Sequence, residues 1–266
     1  MTAIPQQLFS SAVTQYARYR TGYPLHEVAA LADLLGLDHT QTVIDVGCGT
    51  GQLALPLSQH AGSVIAVDPV PAMLTLGRHT AQATNTSNIT WLLGDASNLE
   101  TLVAPGAHAA TFAASFHWTD RPEVVRALDR LLEPEGSIVI INDDLSDVED
   151  PDWVRAITDL RRSYLGDRHT ELTDPHRNTP DSHRTVLSNS TFSNIQSVSW
   201  QWNRELTADE AVGLQFTYSF STPALFGDQA AAFARDARAA VLAMYPAGRV
   251  TEPFRMEVLI ASRPDQ

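Results

Sequence analysis

The sequence contains no lysine, and all 18 of its basic residues are arginines. This absence excludes a Schiff base formed on a lysine and the lysine of a phosphate-binding P-loop. A single cysteine, Cys48, excludes a disulfide within the chain. No apolar run approaches the roughly 18 residues that a membrane span requires, so we expect no membrane partner.

Positive charge is scarce as a whole. The 18 arginines are outnumbered by 31 acidic residues, which gives a net charge of −13. A surface of that sign does not favour binding to nucleic-acid phosphates. The first residues lack the basic start and apolar run of a secretory signal. We therefore predict a cytoplasmic protein that acts on a small-molecule substrate and binds no nucleic acid, and the sequence does not indicate an oligomeric state.

Apolar runs and amphipathic stretches alternate through the middle of the chain. Runs typical of buried strands occupy residues 41–47, 63–68, 88–95, 109–115 and 135–143. Helical spacing separates them, most clearly over 70–83 and 121–132 and more weakly over 51–60. Strands that alternate with helices predict an α/β fold with a doubly wound parallel sheet. Two later runs, 193–202 and 254–263, are also predicted to be strands.

The remaining stretches predict a cap above this sheet, because they are mainly helical in character and no linker or repeat divides the chain. We predict one domain built of two parts. The sheet core spans about 26–143, 192–204 and 254–263, and a mainly helical, discontinuous cap spans about 1–25, 144–191 and 205–250.

The most informative stretch is VIDVGCGTG, residues 43–51. A predicted strand there runs into three alternating glycines, Gly47, Gly49 and Gly51, and then into helical sequence. Glycine lets a ligand approach the backbone closely, and a helix N-terminus offers free N–H groups. A dinucleotide-binding loop would carry its last glycine at position 52, which is a glutamine. The pattern therefore favours a ligand without a pyrophosphate.

Two acidic residues extend this pattern along the predicted sheet. Asp68 ends the second strand, where a carboxylate can accept both hydroxyls of a ribose. Asp95 ends the third strand, where it can meet the amino group of an adenine. Ligands of parallel α/β sheets bind at the carboxyl ends of the strands. The glycine loop, Asp68 and Asp95 together therefore predict a nucleoside site.

In order along the chain, these motifs resemble those of class I S-adenosylmethionine-dependent methyltransferases. The resemblance rests on VIDVGCGTG, VIAVDPVPAML, LLGDASNL and LLEPEGSIVII and covers about residues 41–142. QYARYRTGYP (15–24) and a His-Trp pair (117–118) are similar to the small-molecule branch that includes trans-aconitate-methyltransferase-like enzymes. The resemblance implies S-adenosyl-L-methionine as cofactor and a seven-stranded Rossmann-like sheet. It also implies that the last strand, FRMEVLIASR, is antiparallel.

By this resemblance, the loop glycines approach the methionine part of the cofactor, and Asp45 holds its amino group. Asp68 takes the ribose hydroxyls, and Asp95 with Ala96 takes the adenine. The other residues that the resemblance places against the cofactor are Cys48, Pro69, Met73 and Ser115.

The N-terminal stretch adds candidates of its own. By the resemblance, Tyr16 or Arg20 closes over the methionine carboxylate of the cofactor, and Tyr23 contacts the substrate. The alternative is that residues 15–24 form an ordinary helix end followed by a turn.

A histidine and a tryptophan follow the fourth predicted strand in SFHWTD, residues 115–120. In the implied fold, that strand neighbours the first and ends beside the transferable methyl group. We predict that His117 and Trp118 contact the substrate and that His117 is the catalytic candidate, a general base that titrates near neutral pH. Two alternatives stay open: His117 caps the helix that begins near Arg121, or it is a core histidine.

The predicted cap is rich in aromatic residues, which can line a pocket or simply form a core. They are Trp153, Tyr164, Phe216, Tyr218, Phe220 and Phe226. The cap also contains three Asp-x-His pairs, Asp167/His169, Asp174/His176 and Asp181/His183. Pro175 and Pro180 interrupt any continuous helix through them, so we predict a solvated polar loop and no metal site. Arg168, Arg177 or Arg184 of this loop could contact an anionic substrate.

The resulting hypothesis is a methyltransferase that moves a methyl group from S-adenosyl-L-methionine to a small molecule. Oxygen is the favoured acceptor atom, with carbon or nitrogen as alternatives. A rival hypothesis is a cofactor-binding protein of the same fold that does not methylate. A nicotinamide-dependent oxidoreductase is disfavoured by Gln52.

Overall fold

Seven strands form one sheet in a computed structural model that describes residues 12–143, 150–166 and 180–264. The strands are β1 (Thr42–Val46), β2 (Ser63–Asp68), β3 (Ile89–Leu93), β4 (Ala107–Ala113), β5 (Leu132–Asp143), β6 (Asn194–Thr207) and β7 (Arg249–Ser262). Their spatial order is β3-β2-β1-β4-β5-β7-β6. Because β1 has β2 on one side and β4 on the other, the point where the chain switches direction lies at the carboxyl end of β1.

The pairing directions confirm the predicted fold class. β1 runs parallel to β2 and to β4, and the β2–β3 and β4–β5 pairs are also parallel. β7 runs antiparallel to β5, with Ile260 opposite Val139. The fold is therefore a doubly wound, seven-stranded, Rossmann-like α/β sheet whose last strand is antiparallel.

Helices precede, connect and follow these strands. They are α1 (Val13–Tyr19), α2 (Leu25–Leu34), α3 (Ala54–Leu57), α4 (Pro71–Ala83), α5 (Leu99–Leu102), α6 (Arg121–Leu131), α7 (Asp152–Leu165), α8 (Pro180–Ser188), α9 (Ala208–Gln215), α10 (Pro223–Phe226) and α11 (Ala230–Met244). The helices predicted over 70–83 and 121–132 are confirmed as α4 and α6. The stretch 51–60 forms only the single turn α3, because Pro56 has no N–H with which to close a turn onto Gln52.

The described residues divide into two compact units. The sheet unit comprises residues 22–143, 180–200 and 256–264. Apolar side chains on both faces of the central strands form its core, among them Ile44, Phe112, Ile138 and Leu259, all of which are fully buried. This double coverage explains why the central strands appear in the sequence as continuous apolar runs.

The helical unit comprises residues 12–21, 150–166 and 201–255. Its core is formed by α7, α9 and α11 around aromatic side chains. Phe226 stacks on Phe233 with ring centres 4.3 Å apart, and Phe216 packs edge-on against both rings. These contacts assign Phe216 and Phe226 to the core of this unit.

The last two strands are longer than their sequence suggests, since β6 continues to Thr207 and β7 begins at Arg249. The charged residues in the added parts interrupt the apolar pattern, so these parts were not predicted as strand. Along β6 the inward side alternates through Trp200, Trp202 and Arg204 to a buried leucine, as expected for a strand. Arg204 occupies an inward position because it pairs with Glu252 on β7 at 2.6 Å.

Candidate functional site

The glycine loop follows directly from the end of β1 and has no room for side chains at two of its positions. Gly47 has φ of 72°, and a Cβ atom there would lie 2.5 Å from the Cβ of Ser115. Gly51 has φ of 89°, and its Cβ would lie 2.6 Å from Cη2 of Trp91. Both positions combine a backbone conformation that favours glycine with close packing. The loop therefore presents bare backbone at the carboxyl end of β1.

Asp45 lies one residue before the end of β1 and is almost fully buried. Its Oδ1 atom accepts a hydrogen bond of 2.8 Å from Thr111 on β4, whereas its buried Oδ2 atom has no partner among the described residues. Burial raises the pKa of Asp45 to about 7, and the Asp68 carboxylate adds to that effect, while the Thr111 bond and the nearby backbone amide of Ala54 oppose it. A buried carboxylate oxygen without a partner is unfavourable, so this atom marks a position for a ligand donor.

Asp68 ends β2, and its carboxylate organises the loop from the side. Oδ2 accepts from the amide of Gly49 and Oδ1 from the amide of Val70, both at 2.8 Å. Burial raises the pKa of this carboxyl, and these two hydrogen bonds counteract the rise. Each carboxylate oxygen has a second lone pair, so the two bonds leave capacity for the ribose hydroxyls that were predicted here.

Asp95 follows β3 and has a structural task. It caps the 3-10 helix Ala96–Asn98: its Oδ1 atom accepts from the amide and the hydroxyl of Ser97, and the side-chain oxygen of Asn98 accepts from the backbone amide of Asp95. Its side chain is exposed, while Ala96 is nearly buried. The adenine contact of Asp95 and Ala96 stays a prediction.

Ser115 follows β4 and contacts the glycine loop. Its hydroxyl donates to the carbonyl of Val46 at 2.5 Å, and its Cβ is the atom that leaves Gly47 no room. The preceding Ala114 has φ of 53°, a conformation that residues other than glycine rarely adopt. Such strain is often found at functional sites, and here it places Ser115 against the glycine loop.

His117 and Trp118 form a 3-10 helix together with Phe116. Both side chains are half-buried, and their ring centres lie 5.0 Å apart. The alternative that His117 caps the following helix is wrong, because Asp120 caps α6 by accepting from the amide of Glu123 at 3.1 Å. Phe116 is fully buried, whereas His117 is half-buried with its Nδ1 atom inside. The alternative that His117 is a core histidine stays a prediction. Its roles in substrate binding and catalysis stay predictions.

Three other predicted cofactor contacts surround the loop in the sheet unit. The Cys48 thiol is buried and donates a weak bond of 3.6 Å to the Gly49 carbonyl. Burial and the nearby carboxylates raise the pKa of this thiol, which makes it a packing group and not a nucleophile. Pro69 is half-buried beside Asp68, and Met73 is buried in the first turn of α4.

The N-terminal candidates fall in different units. Tyr23 belongs to the sheet unit and packs edge-on against the buried Trp200, with ring centres 6.0 Å apart. Tyr16 and Arg20 belong to the helical unit. The guanidinium of Arg20 lies over the rings of Tyr16 and Tyr218, at 5.9 and 5.2 Å. Closure of Tyr16 or Arg20 over a cofactor stays a prediction.

Two residues of the site were missed in the sequence analysis. Thr111 fixes one oxygen of Asp45 but appears in the sequence as an ordinary strand residue. Trp91 on β3 packs its indole ring against Gly51 and also against Gly77 on α4, where a Cβ would lie 2.4 Å from the ring. A glycine inside a helix is the one sequence signal that could have indicated this close packing.

The Asp-x-His pairs are only partly described by the structure. The first two pairs, Arg168 and Arg177 lie outside the described residues. The predicted polar loop is wrong for the third pair, because α8 carries His183 into a fully buried position. Its Nδ1 atom lies 3.3 Å from Arg121, and burial followed by this arginine lowers the pKa of His183 to about 4. Arg184 pairs with Glu257 at 3.0 Å.

Within the described ranges, no group of three or more candidate ligands could hold a metal ion.

Comparisons with known proteins agree with this geometry. Residues 43–136 match a family described as a methyltransferase domain. An uncharacterised methyltransferase of Mycobacterium tuberculosis is 29% identical over 218 residues, which cover 81% of this chain and 79% of the relative. A solved structure from Anaeromyxobacter dehalogenans, named as a type II methyltransferase, is similar with a TM-score of 0.58 at 23% identity. That similarity covers 92% of this chain and 98% of the other.

A second solved structure, a phosphoethanolamine N-methyltransferase of Haemonchus contortus in complex with S-adenosylhomocysteine, has a TM-score of 0.59 at 14% identity. That similarity covers 100% of this chain and 61% of the Haemonchus contortus chain. At such identity the likeness concerns the fold.

The domain match, the relatives and the strand order support a class I S-adenosylmethionine-dependent methyltransferase. Among its described residues, no helix has both the length and the apolar character of a membrane span.

Proposed function

We propose that this methyltransferase binds S-adenosyl-L-methionine at the glycine loop and transfers its methyl group to a small-molecule acceptor, with oxygen as the favoured acceptor atom. The observation that carries the proposal is the Oδ2 atom of Asp45, which is buried one residue before the end of β1 and has no hydrogen-bond partner among the described residues. An ammonium group is a donor of the right charge for this atom. The bare backbone at Gly47 and Gly51 fits a ligand that approaches the loop closely.

Different residues of the sheet unit then bind different parts of the cofactor. Asp45 holds the amino group, and Asp68 accepts from the ribose hydroxyls with the lone pairs that Gly49 and Val70 leave open. Asp95 and Ala96 flank the adenine. When bound, the cofactor would supply a methyl group on a sulfonium, a good leaving group. The chain therefore has to hold the acceptor in line with that methyl group and to exclude water.

His117 is proposed as the residue that receives a proton from the acceptor. It follows β4, the strand that lies next to β1, and its imidazole is half-buried beside Trp118. A phenol or another hydroxyl acceptor requires such a base, whereas a carboxylate acceptor does not. The base role thus depends on the class of acceptor.

A small-molecule acceptor is supported by charge. With a net charge of −13, the chain does not offer the basic surface that a nucleic-acid acceptor would need.

The cofactor proposal is tested by calorimetric titration of the purified protein with S-adenosylmethionine and S-adenosylhomocysteine. We expect saturable binding of both compounds and at least tenfold weaker binding by Asp68→Asn, because an amide accepts less strongly from the ribose hydroxyls. Asp33→Asn is the matched control, since Asp33 is an exposed aspartate on α2 of the same unit. That variant should bind like the wild type.

The outcomes separate the hypotheses. Binding followed by transfer of a labelled methyl group to a small acceptor supports the enzyme. Binding without transfer across a broad acceptor panel would favour the non-methylating protein of the same fold. No binding by folded, cofactor-free protein would contradict the proposal.

The role of His117 is tested by His117→Ala and His117→Gln with the acceptor found in that panel. If His117 is the base, kcat falls at least tenfold, S-adenosylhomocysteine affinity is retained, and the neutral-pH limb of the rate profile disappears. A pH profile of unchanged shape in both variants would reduce His117 to a wall of the pocket.

A further inference from the structure

Arg161 is a buried cation in the helical unit, and the part of that unit that the structure describes contains no carboxylate in an ion pair with it. It lies on α7 and is only 5% exposed. Its Nη1 donates to Oε1 of Gln215 at 2.9 Å and its Nη2 donates to the hydroxyl of Thr158 at 3.2 Å, and both of these partners are neutral. The Nε atom is buried and has no acceptor among the described residues.

Two other arginines show how unusual this is. Arg162, the next residue, is exposed and pairs with Asp159 at 3.2 Å. Arg204, which is 13% exposed, pairs with Glu252 at 2.6 Å. No carboxylate of the described residues lies within ion-pairing distance of Arg161. Burial lowers the pKa of Arg161, but only to about 10, so its guanidinium stays charged at neutral pH.

The surroundings of Arg161 leave its hydrogen-bonding edge available. Its guanidinium lies over the ring of Phe220, 4.6 Å from the ring centre. Phe220 stacks on Tyr218 with ring centres 5.3 Å apart, and the guanidinium of Arg20 lies over Tyr218. Stacking of this kind uses the face of a guanidinium and leaves its in-plane N–H groups for a ligand.

The segment that carries these rings combines half-exposed and buried positions. Tyr218 and Phe220 are half-exposed, whereas Gln215 is buried. The hydroxyl of Thr222, two residues further on, is also buried and has no hydrogen-bond partner among the described residues. The same segment therefore offers another polar atom to a ligand.

We propose that Arg161 binds the oxyanion, a carboxylate or a phosphate, of a small-molecule ligand, with Nε–H and a neighbouring Nη–H as its donors. A planar guanidinium binds such groups through two parallel hydrogen bonds.

The test measures binding of simple oxyanions to the full chain. Thermal unfolding and calorimetry are carried out with benzoate, citrate, inorganic phosphate and phenyl phosphate at constant ionic strength in chloride, with benzamide as the neutral counterpart of benzoate. We expect at least one oxyanion to raise the Tm in a saturable manner and to be bound at least tenfold more weakly by Arg161→Met. Benzamide should have no effect.

The matched control is Arg162→Met, which removes an arginine from the same helix at an exposed position. It should retain the oxyanion effect. Arg161→Gln is the second variant in case the apolar side chain disturbs folding, and it should lose the effect as well. The carboxylate and phosphate arms decide which acid group the site prefers.

Two results would overturn the proposal. One is the absence of any saturable oxyanion effect on the wild type. The other is an effect that survives in both Arg161 variants.

A titration with S-adenosylhomocysteine in parallel keeps the two proposals separate. Oxyanion binding without cofactor binding would uphold the Arg161 site and contradict the proposed function. Cofactor binding without oxyanion binding would support the proposed function and contradict the Arg161 site.

Discussion

The two units each bury an ionisable group that forms no ion pair with the described residues, and the charged forms of the two groups have opposite sign. In the sheet unit the group is Asp45, whose Oδ2 atom has no hydrogen-bond partner among the described residues. In the helical unit it is Arg161, whose hydrogen-bond partners are neutral and whose guanidinium lies over an aromatic ring. A folded chain gains nothing by burying an unpaired charge, so such a group indicates a ligand of the opposite sign. The sheet unit is suited to a cation such as an ammonium group, and the helical unit to an anion.

The largest expected effect contrasts two arginines of the helical unit. Arg204→Met should destabilise the protein by about 3–5 kcal/mol, because it removes the ion pair that the guanidinium makes with the buried Glu252 carboxylate. Arg161→Met should leave the free energy of unfolding unchanged or raise it, since it removes a charge that has no ion-pair partner among the described residues. Urea unfolding of both variants measures the difference. An equal loss of stability in both would mean that Arg161 has a carboxylate partner within the chain.

The next effect tests the stability cost of Asp45. Its folded pKa of about 7 lies above its usual value of 3.8, so the folded state binds a proton more tightly than the unfolded state. The stability that this proton contributes is present below about pH 4 and is lost as the pH rises through 7. The cost at about pH 8 is roughly 4 kcal/mol.

Asp45→Asn should therefore be more stable than the wild type at about pH 8 and should lose this advantage at about pH 4. Denaturant unfolding at the two pH values checks this expectation. A variant that is less stable than the wild type at the higher pH would contradict it.

His183, which also lies in the sheet unit, provides a control because its contribution to stability should change with pH in the opposite direction. Its folded pKa of about 4 lies below the usual value of 6.5. The unfolded state therefore binds the proton more tightly, and stability falls as the pH drops from about 6.5 to about 4, by up to roughly 3 kcal/mol. His183→Phe should flatten this limb, as measured by unfolding across the acid range. If the limb is unchanged in this variant, His183 is not its origin.

The smallest effect separates backbone strain from close packing at the glycine loop. Gly47→Ala should cost about 2–3 kcal/mol, because its Cβ meets Ser115 and its φ is positive. Gly36→Ala is the matched control: it has a similar φ of 67° and open space around it, and should cost only about 1 kcal/mol. Thermal unfolding of both variants gives the comparison. Equal losses would show that strain alone makes glycine necessary at position 47.

The sequence predicted the sheet unit far better than the helical unit. Its strands are covered on both faces, so their apolar runs are continuous, and the order of glycines and acids followed from where those runs end. Contacts between strands could not be predicted from the sequence, because Thr111 contacts Asp45 only once β4 pairs with β1. The burial of His183 was missed because two prolines suggested a loop.

The burial of Arg161 could not be predicted from the sequence either, because it depends on contacts that form only in the folded chain. Its sequence neighbourhood, LRRSYL, does not distinguish it from the exposed Arg162. Only the turn of α7 and the packing of Gln215 and Phe220 separate the two arginines. Charges in the sequence indicate a site only once the fold has decided which of them are buried.

The most direct test of the central claim is proton release on cofactor binding. S-adenosylhomocysteine is titrated into the protein at about pH 6 in two buffers that differ in ionisation enthalpy. If the buried Asp45 carboxyl is the partner of the ligand's ammonium group, binding should release close to one proton per site in the wild type and none in Asp45→Asn. Binding of the wild type without proton release would contradict the account.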